Sequence, residues 1–232
     1  GTGPWPVIIC LGGSSKIMDD VERRWAWEPV ERGYVSFVLD VRMSRREEVR
    51  YRLASIVDDN SAFGILGWDL VAAVDYLVSR PDVDPDRIGC TGVSVGGSET
   101  WILAALDRRI SAAAPVVGLT TFGAMYENAT PMLGYHSDYY WFPGYLKYIS
   151  DADAPALIAP RPLLNVGGLQ DWNLPARGMD QIHRRLSHLY ELLGASELIE
   201  RYDWPGGHGF PPPAREVVYD FFDRHLKPEI NR

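Results

Sequence analysis

Short apolar runs alternate along this chain with longer stretches whose apolar positions recur at helical spacing. Val7-Ile8-Ile9-Cys10-Leu11 is one such run, closed by Gly12-Gly13. A continuous apolar run of this kind, bounded by turn residues, reads as a strand buried on both faces. The pattern predicts strands over 7–11, 34–39, 87–93, 110–117, 162–167 and 197–203. Between them it predicts helices over about 20–31, 65–79, 95–106, 176–193 and 213–226. Strands alternating with helices imply βαβ units, right-handed crossovers and a mainly parallel sheet of about six strands covered on both faces, an α/β architecture. In such sheets a functional site lies at the carboxyl ends of the strands.

One stretch breaks the rhythm. Gly118 to Pro155 has no obvious period and is rich in aromatics, among them Phe122, Tyr126, Tyr139, Trp141 and Tyr148. A long insertion in a compact domain often forms a lid or a binding segment. His136, Tyr139 and Trp141 are its candidates for a substrate pocket, with Trp172 further on. The plainer reading is a satellite core or an oligomer contact.

Composition narrows the class. At 232 residues and 46% hydrophobic the chain can bury one core, so residues 1–232 are expected to form one domain with the insertion at about 118–155. A formal charge of -8 and a pI near 5.1 leave no basic excess to replace counterions on nucleic acid. Arg42, Arg45, Arg46, Arg50 and Arg52 cluster, but Glu47 and Glu48 interrupt them, as on a solvated face. No apolar run approaches the length of a membrane span. Cys10 and Cys90 fall within apolar strands and read as buried thiols. Two cysteines do not fix a compartment: a cytoplasmic setting is the default, and secretion stays open because Gly1 rather than methionine begins the chain. The sequence leaves room for an oligomer.

The chemistry concentrates in Gly92-Val93-Ser94-Val95-Gly96-Gly97, at the junction of an expected strand and an expected helix. That placement makes G-x-S-x-G a nucleophile elbow, whose tight turn needs small neighbours and lifts the serine hydroxyl off the sheet edge. Serine needs a base, and the base needs an orienting acid. His208, in Pro205-Gly206-Gly207-His208-Gly209, follows the last strand, and Asp171 follows the strand that ends in Gly167-Gly168. Asp138, Asp151, Asp153, Asp180 and Asp203 compete for the acid's role, but only Asp171 combines a strand end with the order serine, acid, histidine. His183 and His188 read as solvated or capping residues of an Arg-rich helix, and His225 as a cation at a helix end. Stabilising an oxyanion needs two donors: the backbone N–H of Val95, and that of Gly13, with Gly12 as second choice.

These residues make the chain resemble the α/β-hydrolase superfamily, and within it the acetyl xylan esterase and dienelactone hydrolase-like branch of serine esterases. The specific segments are Trp68 to Leu77, Val83-Asp84-Pro85-Asp86-Arg87-Ile88-Gly89, Leu157 to Leu164 with Asp171 and Pro175, and Gly206-Gly207-His208-Gly209-Phe210. The resemblance implies the same nucleophile, acid and base. Three departures stand out. Leu11-Gly12 replaces the His-Gly common before the oxyanion loop, and Ser94 stands where dienelactone hydrolases carry cysteine. The chain also starts almost at the oxyanion strand, as in a minimal member or a chain lacking its front.

The expected activity is hydrolysis of short-chain or acetyl carboxylic esters by a serine hydrolase, with a small-molecule ester as partner and no nucleic acid or membrane. No histidine and acid spacing calls for a metal or another cofactor. A prolyl-oligopeptidase-like peptidase is the alternative enzyme, since such domains also carry G-x-S-x-G-G. A non-catalytic binding protein of the same fold is the third reading, set against the presence of all three residues.

Overall fold

A computed structural model describes residues 3–13, 25–39, 62–127 and 145–227. Six strands form one sheet: β1 (Trp5–Leu11), β2 (Val35–Val38), β3 (Val83–Val93), β4 (Ile110–Val116), β5 (Leu163–Gly168) and β6 (Ile199–Trp204). Every described pairing is parallel, in the order β2-β1-β3-β4-β5-β6. β1, β4 and the Ile88–Gly92 part of β3 are almost wholly buried, as a sheet covered on both faces requires. The first strand lies between the second and the third, so the chain reverses its direction of travel across the sheet between β1 and β3. A crevice opens at the carboxyl ends of two strands so arranged.

The helices are α1 (Glu28–Glu31), α2 (Ala62–Val78), α3 (Val95–Leu106), α4 (Phe122–Glu127), α5 (Tyr145–Tyr148), α6 (Asp153–Ala156), α7 (Ala176–Leu192) and α8 (Pro212–Leu226). Successive residues of β3 show that both faces are covered. Added bulk at Gly89 would strike Phe222 and Leu226 of α8, whereas the Cys90 thiol reaches the Thr100 carbonyl of α3 at 3.5 Å. Neighbouring strand residues point to opposite faces, so α8 and α3 sandwich the sheet. Cys10 and Cys90 are free and buried, as expected, and burial pushes the Cys10 thiol up to about 12.

Two side chains tie distant segments together. Arg161 donates to the carbonyls of Ala104, Asp107, Ile110, Leu157 and Ile158, so one guanidinium caps the end of α3 and fixes the approach to β5. Arg32 pairs with Glu216, Asp220 and Asp223, and Lys227 returns to the Arg32 carbonyl at 2.7 Å, docking α8 on the turn before β2.

Several boundaries differ from expectation. The strand predicted at 87–93 begins at Val83, because Asp84-Pro85-Asp86 continues the extended backbone instead of turning. Of the helix expected over 20–31, the described part holds only α1 as α-helix, with Pro29 in its first turn, and residues 20–24 lie outside the described residues. The last strand starts two residues late, behind a 3₁₀ turn at Ser196–Leu198. The insertion carries α4, α5 and α6, each too short for a helical period to show in the sequence.

Candidate active site

Ser94 sits between β3 and α3 with φ 62 and ψ −117, one of two non-glycine residues with positive φ among those described. A serine there is strained, and it persists only where its surroundings hold it. The Ser94 N–H donates to the Val116 carbonyl of β4 at 3.0 Å, and the Ser94 carbonyl accepts the Ser98 N–H at 3.0 Å. The flanking glycines leave room for this turn. A Cβ on Gly92 would collide with the Gly96 carbonyl, and one on Gly96 with the carbonyls of Leu11 and Gly12.

The reversal between β1 and β3 brings the end of β1 beside the elbow. A Cβ built on Gly13 would lie 3.6 Å from the Ser94 Cβ, while the Gly12 carbonyl faces Gly96. Gly13 thus lies next to the Ser94 side chain. Val95 opens α3, where helix N–H groups have no intrahelical acceptor and the helix dipole is positive.

Asp171 and His208 meet. Asp171 Oδ2 and His208 Nδ1 are 2.7 Å apart, with the Asp171 side chain fully buried and the imidazole 25% exposed. The other carboxylate oxygen, Oδ1, accepts the N–H groups of Asn173 at 2.8 Å and Leu174 at 3.0 Å. The acid is therefore held by its own loop as well as by the base. The two loops also fit backbone to backbone: the Gln170 N–H donates to the Gly206 carbonyl at 2.8 Å, the Leu169 N–H to the Trp204 carbonyl at 2.9 Å, and a Cβ on Gly168 would collide with Gly207.

The rival carboxylates are engaged elsewhere. Asp180 and Asp203 pair with Arg201, Asp151 accepts the Phe122 N–H at 3.1 Å, and Asp153 accepts from Ser150. Asp138 lies outside the described residues, as do His136, Tyr139 and Trp141 of the expected pocket. Trp172 is 53% exposed beside the acid, and Leu169 on the same loop is 55% exposed. Among the described residues no group of three His, Cys, Asp or Glu side chains converges as a metal site would require.

One of the other histidines differs from expectation. His183 is not solvated but half-buried, and burial lowers its pKa. His225, in the last turn of α8, packs its ring 4.7 Å from Phe221 and has Glu200 3.7 Å from Nε2, and burial lowers its pKa as well. His188 is exposed, 3.7 Å from Glu191. Sequence reasoning did not anticipate Val117, the second strained residue, at φ 42. A buried valine carries no local signal for a left-handed turn.

A parallel sheet with a strained serine between strand and helix, and an acid–histidine pair on the next loops along the same edge, defines an α/β-hydrolase. Residues 22–229 match the prolyl oligopeptidase family, peptidase S9, and the chain belongs to that family. It is 36% identical over 164 residues to YtaP of Bacillus subtilis (strain 168), a protein named as a hydrolase; the match covers 71% of this chain and 54% of YtaP. The chain thus spans about half the length of that relative. Its fold is similar to a carbohydrate esterase family 15 glucuronoyl esterase from Caldicellulosiruptor kristjansonii, with TM-score 0.73 and 21% identity over 98% of this chain and 70% of that one. It is also similar to Methylesterase BT1017, with TM-score 0.69 and 25% identity over 98% of this chain and 50% of that one. Among the described residues no helix is long and apolar enough to cross a membrane.

Proposed function

We propose that this hydrolase is a serine carboxylic-ester hydrolase acting through an acyl-enzyme on short-chain or acetyl esters, with residues 1–232 forming one domain. The observation that carries the reading is the 2.7 Å contact between Asp171 and His208 on the sheet edge that bears the Ser94 elbow. Asp171 keeps the Nδ1 proton of His208, which leaves Nε2 as the base. Ser94 Oγ forms a bond to the ester carbonyl carbon as its proton passes to Nε2. The N–H groups of Val95 and Gly13 hold the oxyanion. Collapse breaks the bond to the alcohol, which leaves with the proton from Nε2. Water then repeats the sequence on the acyl-Ser94 ester, releasing the acid and restoring the serine.

Leu169 and Trp172 would form one apolar wall beside the acid, and His136, Tyr139 and Trp141 of the insertion would complete the pocket. The partner is a small ester. Nucleic acid and membrane have no place in this reading, and an oligomer is compatible with it. A peptidase is the second reading, favoured by the family to which the chain belongs.

A panel of p-nitrophenyl acyl esters of rising length, an acetylated sugar and a peptide anilide separates the two. Turnover of acetyl to butyryl esters above long chains and the anilide is the expected result, abolished in Ser94→Ala. Preference for the anilide would replace the esterase with the peptidase, and full activity in Ser94→Ala would remove the nucleophile.

A further inference from the structure

The elbow's strain has to be held by something other than its glycines, which only make room. The Ser94 N–H has its acceptor in the Val116 carbonyl, so the end of β4 sets where the nucleophile's backbone lies. That strand end is itself in an unfavourable shape. Val117 is fully buried and has φ 42, a left-handed conformation that is unfavourable for a β-branched residue. It therefore needs its own ties.

Those ties run back to α3. The Val117 N–H donates to the Val166 carbonyl of β5 at 2.8 Å. The next carbonyl, Gly118, accepts two side-chain donors, Ser98 Oγ at 2.9 Å and Trp101 Nε1 at 3.1 Å. Contact is close enough that a Cβ on Gly118 would collide with Gly97, and one on Gly97 with the Val116 carbonyl. The result is a closed ring. From Ser94 it passes through Val116 to Gly118, across the indole N–H to Trp101, and along α3 back to Ser94.

We propose that Trp101 is a positioning residue for Ser94, acting through the Val116–Gly118 turn. This rests on Ser94 being the nucleophile. The indole, 7% exposed, fastens the far side of the ring, and with it the acceptor that fixes the Ser94 backbone. Without its N–H the left-handed turn relaxes, Val116 shifts, and the hydroxyl loses its aim at the substrate carbonyl. Substrate binding is left as it was, because the indole is part of the packing beneath the elbow.

The test is Trp101→Phe in the full chain, which keeps an aromatic ring and removes the donor. Three quantities are read: the second-order rate constant for labelling of Ser94 by a fluorophosphonate, kcat and KM on p-nitrophenyl acetate, and Tm. Labelling and kcat should each fall about 10-fold, or about 1.4 kcal/mol, with KM within about twofold. A folded variant that labels at the wild-type rate overturns the proposal, as does a rise in KM with kcat unchanged. If Trp101→Phe does not fold, Ser98→Ala withdraws the other donor and is judged on the same readouts. Failure of the wild-type protein to label at Ser94 overturns the nucleophile instead, and the positioning role with it.

Discussion

Asp171 and His208 stand 37 residues apart in the chain and 2.7 Å apart in space, and the contact uses one oxygen of the carboxylate while the other is occupied by backbone. The acid thus does two jobs that substitutions can separate. In Asp171→Asn the amide oxygen can still accept from Asn173 and Leu174, but the NH₂ group faces Nδ1 and imposes the wrong tautomer. Turnover should fall by about three to four orders of magnitude with little change in Tm. Asp171→Ala should lose the same activity and also about 1–3 kcal/mol of stability, because two N–H groups lose their acceptor. Equal urea midpoints for the two variants would show that the loop does not depend on Oδ1.

At Ser94 the backbone and the hydroxyl are likewise separable. Alanine and glycine both remove the nucleophile, but only glycine adopts φ 62 without a steric penalty. Ser94→Gly should be more stable than Ser94→Ala by about 1 kcal/mol, read by thermal or urea unfolding. The reverse order would mean that the elbow is not strained.

The glycines around the elbow should not respond alike. Gly96→Ala drives a methyl group into two carbonyls and should cost about 3 kcal/mol or more. Gly13→Ala meets its neighbours at 3.4 Å and 3.6 Å, ordinary contact distances, and should fold within about 1 kcal/mol of wild type. Its methyl group would nevertheless crowd the position of the substrate oxygen, so kcat should fall roughly 10-fold or more. Unchanged turnover in folded Gly13→Ala would move the second oxyanion donor elsewhere.

Stability should fall as pH drops below the ordinary histidine value. Burial holds the pKa of both His183 and His225 below 6.5; His183 Nδ1 is buried without a hydrogen-bond partner, and His225 Nε2 has the Glu200 carboxylate 3.7 Å away. His183 faces Arg201, Asp180 and Asp203, while His225 faces Glu200 and Arg224. Well above 6.5 each ring is neutral in folded and unfolded chains alike, and the two histidines contribute nothing to the pH dependence. Below it the unfolded chain takes up protons first, so stability is lost down to the folded pKa. A His183→Gln, His225→Gln double variant should show a smaller drop in urea midpoint between about pH 7.5 and about pH 5.5 than the parent. An undiminished drop would assign the acid sensitivity to other groups.

Much of this site was legible because its signals are local. An elbow is a six-residue pattern, and Gly206-Gly207-His208-Gly209 marks its own loop. The parallel sheet could be inferred from alternation alone, yet the start of β3 was hidden by Pro85, which ordinarily argues for a turn. What stayed hidden depends on neighbours distant in sequence. Nothing around Val117 announces a left-handed residue, since its conformation is imposed by β5 and α3. His183 lies on a visibly amphipathic helix, but two of the charged groups that face it, Arg201 and Asp203, come from β6, which the helical period does not reveal. The double use of Asp171 was half visible: its place after a strand end marked a candidate acid, but nothing local showed that its other oxygen would hold the N–H groups of Asn173 and Leu174.

The fit of Gly168 against Gly206 and Gly207 leaves no space for a side chain. The loops that carry Asp171 and His208 are therefore seated on one another backbone to backbone. The exposed side chains of Leu169 and Trp172 on these loops can vary without disturbing that seat. A change at either position would alter the surface beside Asp171 while the backbone keeps the spacing between Asp171 and His208.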